Sequence, residues 1–190
     1  MSISAIEKLF RPKSVAIIGA STNPAKTAGR PLRFLRKYGF SGKIWPVNPQ
    51  SSEIDGIRCY ASIDDLPAAP DASIILLGPA STEDAIRKLS TRGASVSIVL
   101  GGGYGETGPA GIKRQVALSE AAKSMRILGP NTIGVLNLQD RYPLRFRRTR
   151  RGAPYDRKNR RHITIWRHIR ISSLTRGSKR YRPISSRCYR

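Results

Sequence analysis

Histidine, cysteine and long apolar runs are scarce in this 190-residue chain, and each scarcity excludes a class of protein. Both histidines, His162 and His168, come after residue 140, so the first 140 residues hold none for a catalytic triad or a general base. Two cysteines, Cys59 and Cys188, cannot form a disulfide framework or a metal cluster and suit the reducing cytoplasm. No apolar run is long enough to span a membrane, and the amino terminus lacks the pattern of a secretory signal.

Acidic residues are almost absent from the last quarter of the chain. Residues 141–190 contain 18 lysines and arginines and one acid, a net +17 out of the formal +23 of the whole chain. Residues 1–140 contain 17 basic and 11 acidic residues, a net +6. We therefore predict two parts: a folded domain over 1–140 and an arginine-rich tail over 141–190. The tail has too few large apolar groups to offset its ordering entropy, which predicts disorder.

Apolar runs that end in glycine or proline alternate with helical segments through residues 1–140. Five segments predict strands: "SVAIIGA", "GKIWPVNP", "DASIILLGP", "ASVSIVLGGGYG", which runs into a glycine-rich loop, and "RILGPN". This alternation predicts an α/β fold, a Rossmann-like doubly wound parallel sheet with helices on both faces. Pro46 favours either an edge position or an early end for the second strand. Ser81 is predicted to cap the helix after the third strand, and the pair Asp64–Asp65 to cap a short helix.

Each predicted strand is followed by a loop of small or helix-breaking residues: "GAST", "VNPQ", "LGPAS", "LGGGYG" and "LGPN". Any one of them could simply terminate a strand. Together they point at the crevice outside the carboxyl ends of the strands, where doubly wound sheets bind ligands. Gly19 and the backbone N–H groups of Ala20 to Thr22 could hold a phosphate. An NAD site would need an acid after the second strand, and the first one there is Glu53, which argues against NAD.

No catalytic or metal-binding group stands out in residues 1–140. No pair of carboxylates is suitably placed, and Ser21 has no visible base, so we interpret it as a phosphate ligand or a cap. Cys59 is interpreted as a packed thiol because nothing nearby in sequence would lower its pKa. The sequence therefore predicts a nucleotide-binding domain with no catalytic residue and no metal.

Five ordered motifs carry a resemblance: "SVAIIGAS", "GKIWPVNP", "ASIILLGPAS", "GGGYGETG" and "ILGPNTIGVLNL". Over about residues 5–140 the chain resembles the CoA-binding domain of the NDP-forming acyl-CoA synthetases and of the succinyl-CoA synthetase alpha subunit. The resemblance implies a Rossmann-like fold with coenzyme A as its ligand. It assigns Gly19, Ala20 and Ser21 to the first phosphate loop, Asn48 and Pro49 to the loop beside the nucleotide, Gly78, Pro79 and Ala80 to the adenine and pantetheine path, and Pro130 and Asn131 to the thiol end. Thr132 stands where many relatives have cysteine.

The resemblance also implies a reaction that needs more than this domain. In the family, an acyl-CoA and phosphate give an acyl phosphate, a histidine of a second domain takes the phosphoryl group, and an ATP-grasp domain passes it to a nucleoside diphosphate. His162 and His168 do not lie in the family's histidine motif, and no segment of the chain suits an ATP-grasp fold. The chain alone is therefore expected to be inactive, and coenzyme A or an acyl-CoA is its expected partner.

Two interpretations of the tail stay open. An arginine-rich arm binds nucleic-acid phosphates, at least non-specifically. Alternatively, the tail is out-of-frame translation of a GC-rich gene: residues 162–168 can be encoded so that the frame one base downstream reads Thr-Ser-Gln-Ser-Gly-Gly, similar to the turn that opens the family's second domain. We favour the frameshift. A nucleic-acid-binding protein and a complete CoA-binding regulator are the alternative functions, and the oligomeric state stays open.

Overall fold

The computed structural model describes residues 3–137, 142–145 and 163–165. The helices are α1 (Ile3–Phe10), α2 (Arg30–Lys37), α3 (Pro79–Thr91) and α4 (Pro109–Ala122), with single 3-10 turns at Thr27–Gly29 and Gly105–Thr107. The strands are β1 (Ser14–Ile18), β2 (Lys43–Val47), β3 (Glu53–Ile54), β4 (Ile57–Arg58), β5 (Ala72–Ile75), β6 (Val96–Val99), β7 (Arg126–Leu128), β8 (Gly134–Asn137), β9 (Tyr142–Arg145) and β10 (Ile163–Ile165).

The five predicted strands form one parallel sheet in the order β2-β1-β5-β6-β7. This confirms the α/β, Rossmann-like class, and it places the strand that contains Pro46 at the edge of the sheet. From β1 the chain continues to β2 on one side and then returns to β5 on the other, so the strand order reverses between β1 and β5. Ligands of doubly wound sheets bind at such a switch point, outside the carboxyl ends of the strands, so a site is expected there.

The core has two layers, one on each face of the sheet. Residues of β1, β5 and β6 are almost fully buried, as in strands covered by helices on both faces. On one face, α3 buries Thr82, Ala85, Ile86 and Leu89 at the three- and four-residue spacing of an amphipathic helix, and α4 packs beside it. On the other face, α2 contributes Leu32 and Leu35 to a cluster that also holds residues of β8 and β9.

Two predicted helix caps are wrong. The helix α3 begins at Pro79, because proline is well suited to the first helical position, and the N–H of Ser81 donates to the Gly78 carbonyl oxygen inside that first turn. Asp65 starts no helix: its carboxylate accepts hydrogen bonds from the N–H and the hydroxyl of Ser62 in a tight turn. The sequence analysis also missed α1, the β3–β4 hairpin and β8, since each is short.

Two stretches beyond residue 140 are strands of a second, antiparallel sheet in the order β10-β8-β9. In β9, Tyr142 and Leu144 are buried in the α2-side core, and Leu144 lies opposite Val135 of β8. The predicted boundary after residue 140 therefore falls between two strands of one sheet. The expectation of a disordered tail otherwise lies outside the described residues and stays a prediction.

Candidate functional site

The loops after β1 and β2 are tied together by hydrogen bonds. The N–H groups of Gly19 and Ala20 both donate to the Val47 carbonyl oxygen, at 3.0 and 3.2 Å. The side-chain amide of Asn48 donates to the Ala20 carbonyl oxygen at 2.8 Å. Asn48 thus positions the first loop from the end of the neighbouring strand, beside the exposed Pro49.

The backbone N–H groups that the sequence suggested for phosphate binding are largely occupied. Besides Ala20, the N–H of Ser21 is used, since it donates to the Ala28 carbonyl oxygen at 3.3 Å. The next helix begins only at Arg30, so its N-terminus does not follow the first loop directly. What this loop offers a ligand is the hydroxyl groups of the half-buried Ser21 and the exposed Thr22.

Gly19 brings the first loop against the loop after β5. Its φ of +81° lies in the left-handed region, and a Cβ added there would be 2.8 Å from the Leu77 side chain. Only glycine fits this conformation and this space without strain. Behind Leu77, Gly78 and Ala80 are exposed and Pro79 is half-buried at the N-terminus of α3. That N-terminus directs a partial positive charge towards the crevice.

The glycine-rich loop after β6 is fixed by polar side chains. The carboxylate of Glu106 accepts the N–H of Gly103 at 2.6 Å, and Arg114 of α4 donates to the Gly103 carbonyl oxygen at 2.8 Å. Gln115 accepts the N–H of Gly105 at 3.0 Å, and Tyr104 is buried beneath the loop. The loop is therefore held in one shape before any ligand arrives.

The pKa of Glu106 reflects this arrangement. Slight desolvation of this exposed side chain raises the pKa, but hydrogen bonds from the backbone at Glu106, Gly103 and Tyr104, together with the charge of Arg114, outweigh it and lower the pKa overall. The carboxylate is thus ionised at neutral pH and stays an acceptor for the loop. Sequence reasoning missed Glu106 and Arg114; their signal was an acid directly after the glycines and a base one helical turn into α4.

The loop after β7 closes the row. Asn131 has a φ of +57°, its N–H donates to the Gly101 carbonyl oxygen at 2.9 Å, and its side chain is 3.7 Å from a Cβ added at Gly102. Asn131 follows the half-buried Pro130 and is itself exposed. Thr132 is buried and its hydroxyl accepts the N–H of Gly134 at 3.3 Å, a local backbone role.

The five loops thus touch one another in the order of the strands. The loop after β2 contacts that after β1, which contacts that after β5. A Cβ added at Gly103 would be 3.0 Å from Pro79, so the glycine-rich loop packs on the start of α3, and Asn131 packs on the glycine-rich loop. Every residue chosen from the sequence lies on this continuous edge. In the described part of the chain no group of acids, histidines and cysteines could hold a metal ion, and no helix could cross a membrane.

The end of β2 is unsuited to a ribose diol. Asn48 stands first after the strand, and its side-chain oxygen already accepts the N–H of Gln50 at 2.8 Å. An NAD site uses a free carboxylate at this position to bind both ribose hydroxyls. Cys59 is buried beneath Asn48 as a packed thiol, and burial raises the pKa of that thiol, which favours its unreactive protonated form.

Comparison with known proteins agrees with this geometry. Residues 13–137 match the family model of a CoA binding domain. The chain belongs to this family. It is 36% identical over 151 residues to the trans-feruloyl-CoA synthase FCS1 of an unknown prokaryotic organism, and 36% identical over 141 residues to the ADP-forming acetate–CoA ligase II of Archaeoglobus fulgidus. The apo dinucleotide-forming acetyl-coenzyme A synthetase 1 of Ca. Korarchaeum cryptofilum superposes with a TM-score of 0.71 at 33% identity.

These matches cover much of this chain but little of the relatives. They include 78% and 73% of this chain but 21% of each of the two ligases, and 74% of this chain but 31% of the superposed synthetase. The chain is thus a CoA-binding domain related to the NDP-forming acyl-CoA synthetases, and coenzyme A is the ligand of this kind of domain. Most of each relative's length therefore lies outside the match.

Proposed function

We propose that the crevice along the five loops binds coenzyme A in an extended form. The adenosine end lies towards β2 and the thiol end towards β7. The observation that carries this proposal is the unbroken contact between the loops, from Asn48 to Asn131, inside the matched residues 13–137.

Each part of the ligand would meet groups suited to it. Where Gly19 allows close approach, the hydroxyls of Ser21 and Thr22 donate to the diphosphate, and the α3 N-terminus at Ala80 adds a favourable dipole. The pantetheine arm passes over the fixed glycine-rich loop. The thiol ends beside Asn131. No residue here performs acyl transfer; the domain holds and orients the thiol.

Calorimetric titration of the full chain tests this function. The tail attracts any polyanion, so ATP serves as a ligand of similar charge, and titrations are run at about 0.15 M and about 0.5 M salt. We expect saturable coenzyme A binding that survives the higher salt, with weaker binding of ATP and of NAD. Ser21→Ala should weaken coenzyme A binding by about tenfold, since it removes a hydrogen bond to a charged group. NAD binding as tight as coenzyme A binding would refute the proposal.

The wider reaction is proposed to be that of an ADP-forming acyl-CoA synthetase, which the chain cannot perform by itself. Incubated with a carboxylic acid, coenzyme A and ATP, the purified chain should give no acyl-CoA or phosphohistidine above a blank. We place the protein in the reducing cytoplasm, where the free thiol of Cys59 persists. Any nucleic-acid binding through the tail should follow charge alone.

A further inference from the structure

The segment Arg58–Tyr60 runs beside the carboxyl end of β2. Tyr60 pairs with Val47 in a parallel bridge: its N–H donates to the Pro46 carbonyl oxygen and its carbonyl oxygen accepts the N–H of Asn48, both at 2.9 Å. This segment therefore extends the sheet by one position beyond its edge strand, directly next to the residue that positions the first loop.

Arg58 lies over the ring of Tyr60, with its guanidinium carbon 5.2 Å from the ring centre. Tyr60 packs partly against the core on the α3 side of the sheet. Alternation along the segment agrees with this, since Cys59 between them belongs to the core of the opposite face. The ring thus holds the guanidinium on the α3 side of the sheet, beside the carboxyl end of β2.

The charge of Arg58 is available for a ligand. Arg58 is exposed, and within the described residues it forms neither an ion pair nor a hydrogen bond. Glu53 is its cross-strand neighbour in the β3–β4 hairpin, yet the two side chains form no ion pair. The loop after β2 itself, residues 48–52, carries no basic residue.

In nucleotide-binding sheets of this kind the ribose lies at the end of the second strand. An acid there selects a free diol, whereas an arginine nearby accommodates a phosphate on the ribose. This chain has no acid directly after β2 and has an arginine beside it. Coenzyme A differs from most adenine dinucleotides in carrying a phosphate on the ribose 3′ oxygen. We propose, on the basis of the coenzyme A function proposed above, that Arg58 binds this 3′-phosphate and makes the site select coenzyme A over its dephosphorylated form.

Tyr60 acts as a positioning residue in this arrangement. A planar guanidinium stacks on an aromatic ring and still presents its donors at the edge, so it can bind a phosphate through two hydrogen bonds. The ring restricts a long side chain that would otherwise move freely. Lysine at position 58 would keep the charge but lose the paired donors.

The experiment compares coenzyme A with 3′-dephospho-coenzyme A by calorimetric titration of the full chain. The measured quantity is the ratio of the two dissociation constants. Because the tail also attracts the extra charge of the 3′-phosphate, the titrations are run at about 0.5 M salt, and the ratio of each variant is compared with that of the wild type, which carries the same tail. We expect the wild-type chain to prefer coenzyme A by about tenfold or more, the effect of a charge-assisted hydrogen bond. Arg58→Gln, which keeps the apolar stem over the ring, should reduce the ratio to near one, Arg58→Lys should leave an intermediate ratio, and Tyr60→Phe should retain it.

Lys37→Ala is the matched control. Lys37 also lies over a tyrosine ring, at 5.9 Å from the centre of Tyr38, but at the C-terminal end of α2. That end of α2 lies towards the amino ends of the strands, away from the crevice at their carboxyl ends, so the ratio should not change. Circular dichroism melts check that each variant is folded.

The outcomes separate the two proposals. If the wild-type chain binds coenzyme A but does not distinguish the dephosphorylated form, or if Arg58→Gln leaves the ratio unchanged, the role of Arg58 is wrong while the coenzyme A site stands. An equal effect of Arg58→Gln on both ligands would show that the side chain only supports the β3–β4 hairpin or balances Glu53, and this too overturns the inference. No coenzyme A binding by the wild-type chain would remove the proposed function itself.

Discussion

Leu144→Ala should destabilise the protein substantially, although Leu144 lies beyond the point at which the composition changes. Its side chain is fully buried, it faces Val135 across the β8–β9 pair, and β9 packs against α2. Replacing a buried leucine by alanine removes apolar contacts and leaves a cavity, at a cost of about 2–5 kcal/mol. A chain of this size should therefore lose about 6–12 °C in melting temperature if the cost is about 3 kcal/mol.

Thermal melts of the full chain followed by circular dichroism measure this effect. Ile112→Ala is the control, since Ile112 is a similarly large apolar residue but is 53% exposed on α4. Its effect should stay within about 0.5 kcal/mol. If the folded domain ended at residue 140, the two variants would melt alike. Equal melting temperatures would refute our reasoning, and coenzyme A titrations should then use residues 1–140 instead of the full chain.

The remaining predictions concern buried side chains and the gene. Tyr142 has no hydrogen-bond partner for its hydroxyl among the described residues, and burial raises its pKa well above the usual value. A raised folded-state pKa gives stability that is present below about pH 10 and is lost as the pH rises further. Between neutral pH and about pH 11, thermal melts should therefore show a smaller loss of stability for Tyr142→Phe than for the wild type, and an equal loss would contradict this. Gly111→Ala should weaken coenzyme A binding, because a Cβ at Gly111 would lie 1.8 Å from the Tyr104 carbonyl oxygen beneath the glycine-rich loop, whereas Lys113→Ala, at a neighbouring exposed residue, should not. Calorimetry measures both affinities, and unchanged binding by Gly111→Ala would exclude a role for the loop's shape. The DNA from codon 162 onwards, read one base along, should continue into a synthetase-like frame, and a stop codon in that frame soon after codon 168 would end the frameshift hypothesis.

The parallel sheet and its ligand edge could be predicted because the information is local. The five strands are visible in the sequence as short apolar runs. The loops after them contain glycine at positions that other residues tolerate poorly, such as Gly19 at positive φ. Because doubly wound sheets bind ligands outside the carboxyl ends of their strands, these local patterns are enough to predict where the crevice lies. The same local reasoning failed at Ser81 because two features competed: proline at the first position of α3 determined where the helix begins, and a good capping residue two positions later became part of its first turn.

The interactions that shape the site could not be predicted because they join distant positions. In the glycine-rich loop, Arg114 donates a hydrogen bond to Gly103, and in the first loop Asn48 donates one to Ala20. No periodic pattern in the sequence indicates either contact. Arg58 illustrates this most clearly: in the sequence it is one base among many, and only the bridge between Val47 and Tyr60 brings it to the end of β2.

The predicted boundary after residue 140 rests on composition, which is averaged over a longer stretch of chain than the packing of a single strand depends on. Net charge is an average over tens of residues, whereas burial in a strand requires only that alternate residues be apolar. Tyr142 and Leu144 satisfy that requirement inside an arginine-rich stretch, and both are in the core.

The match to the trans-feruloyl-CoA synthase also extends beyond residue 140. It covers 78% of 190 residues, about 148, so the similarity cannot end before about residue 148. The family-like sequence thus continues past the first arginines. If a change of reading frame produced the tail, it lies after β9 and before the stretch at 162–168 whose shifted codons can read Ser-Gln-Ser-Gly-Gly, a window short enough for a single sequencing read of the gene to decide.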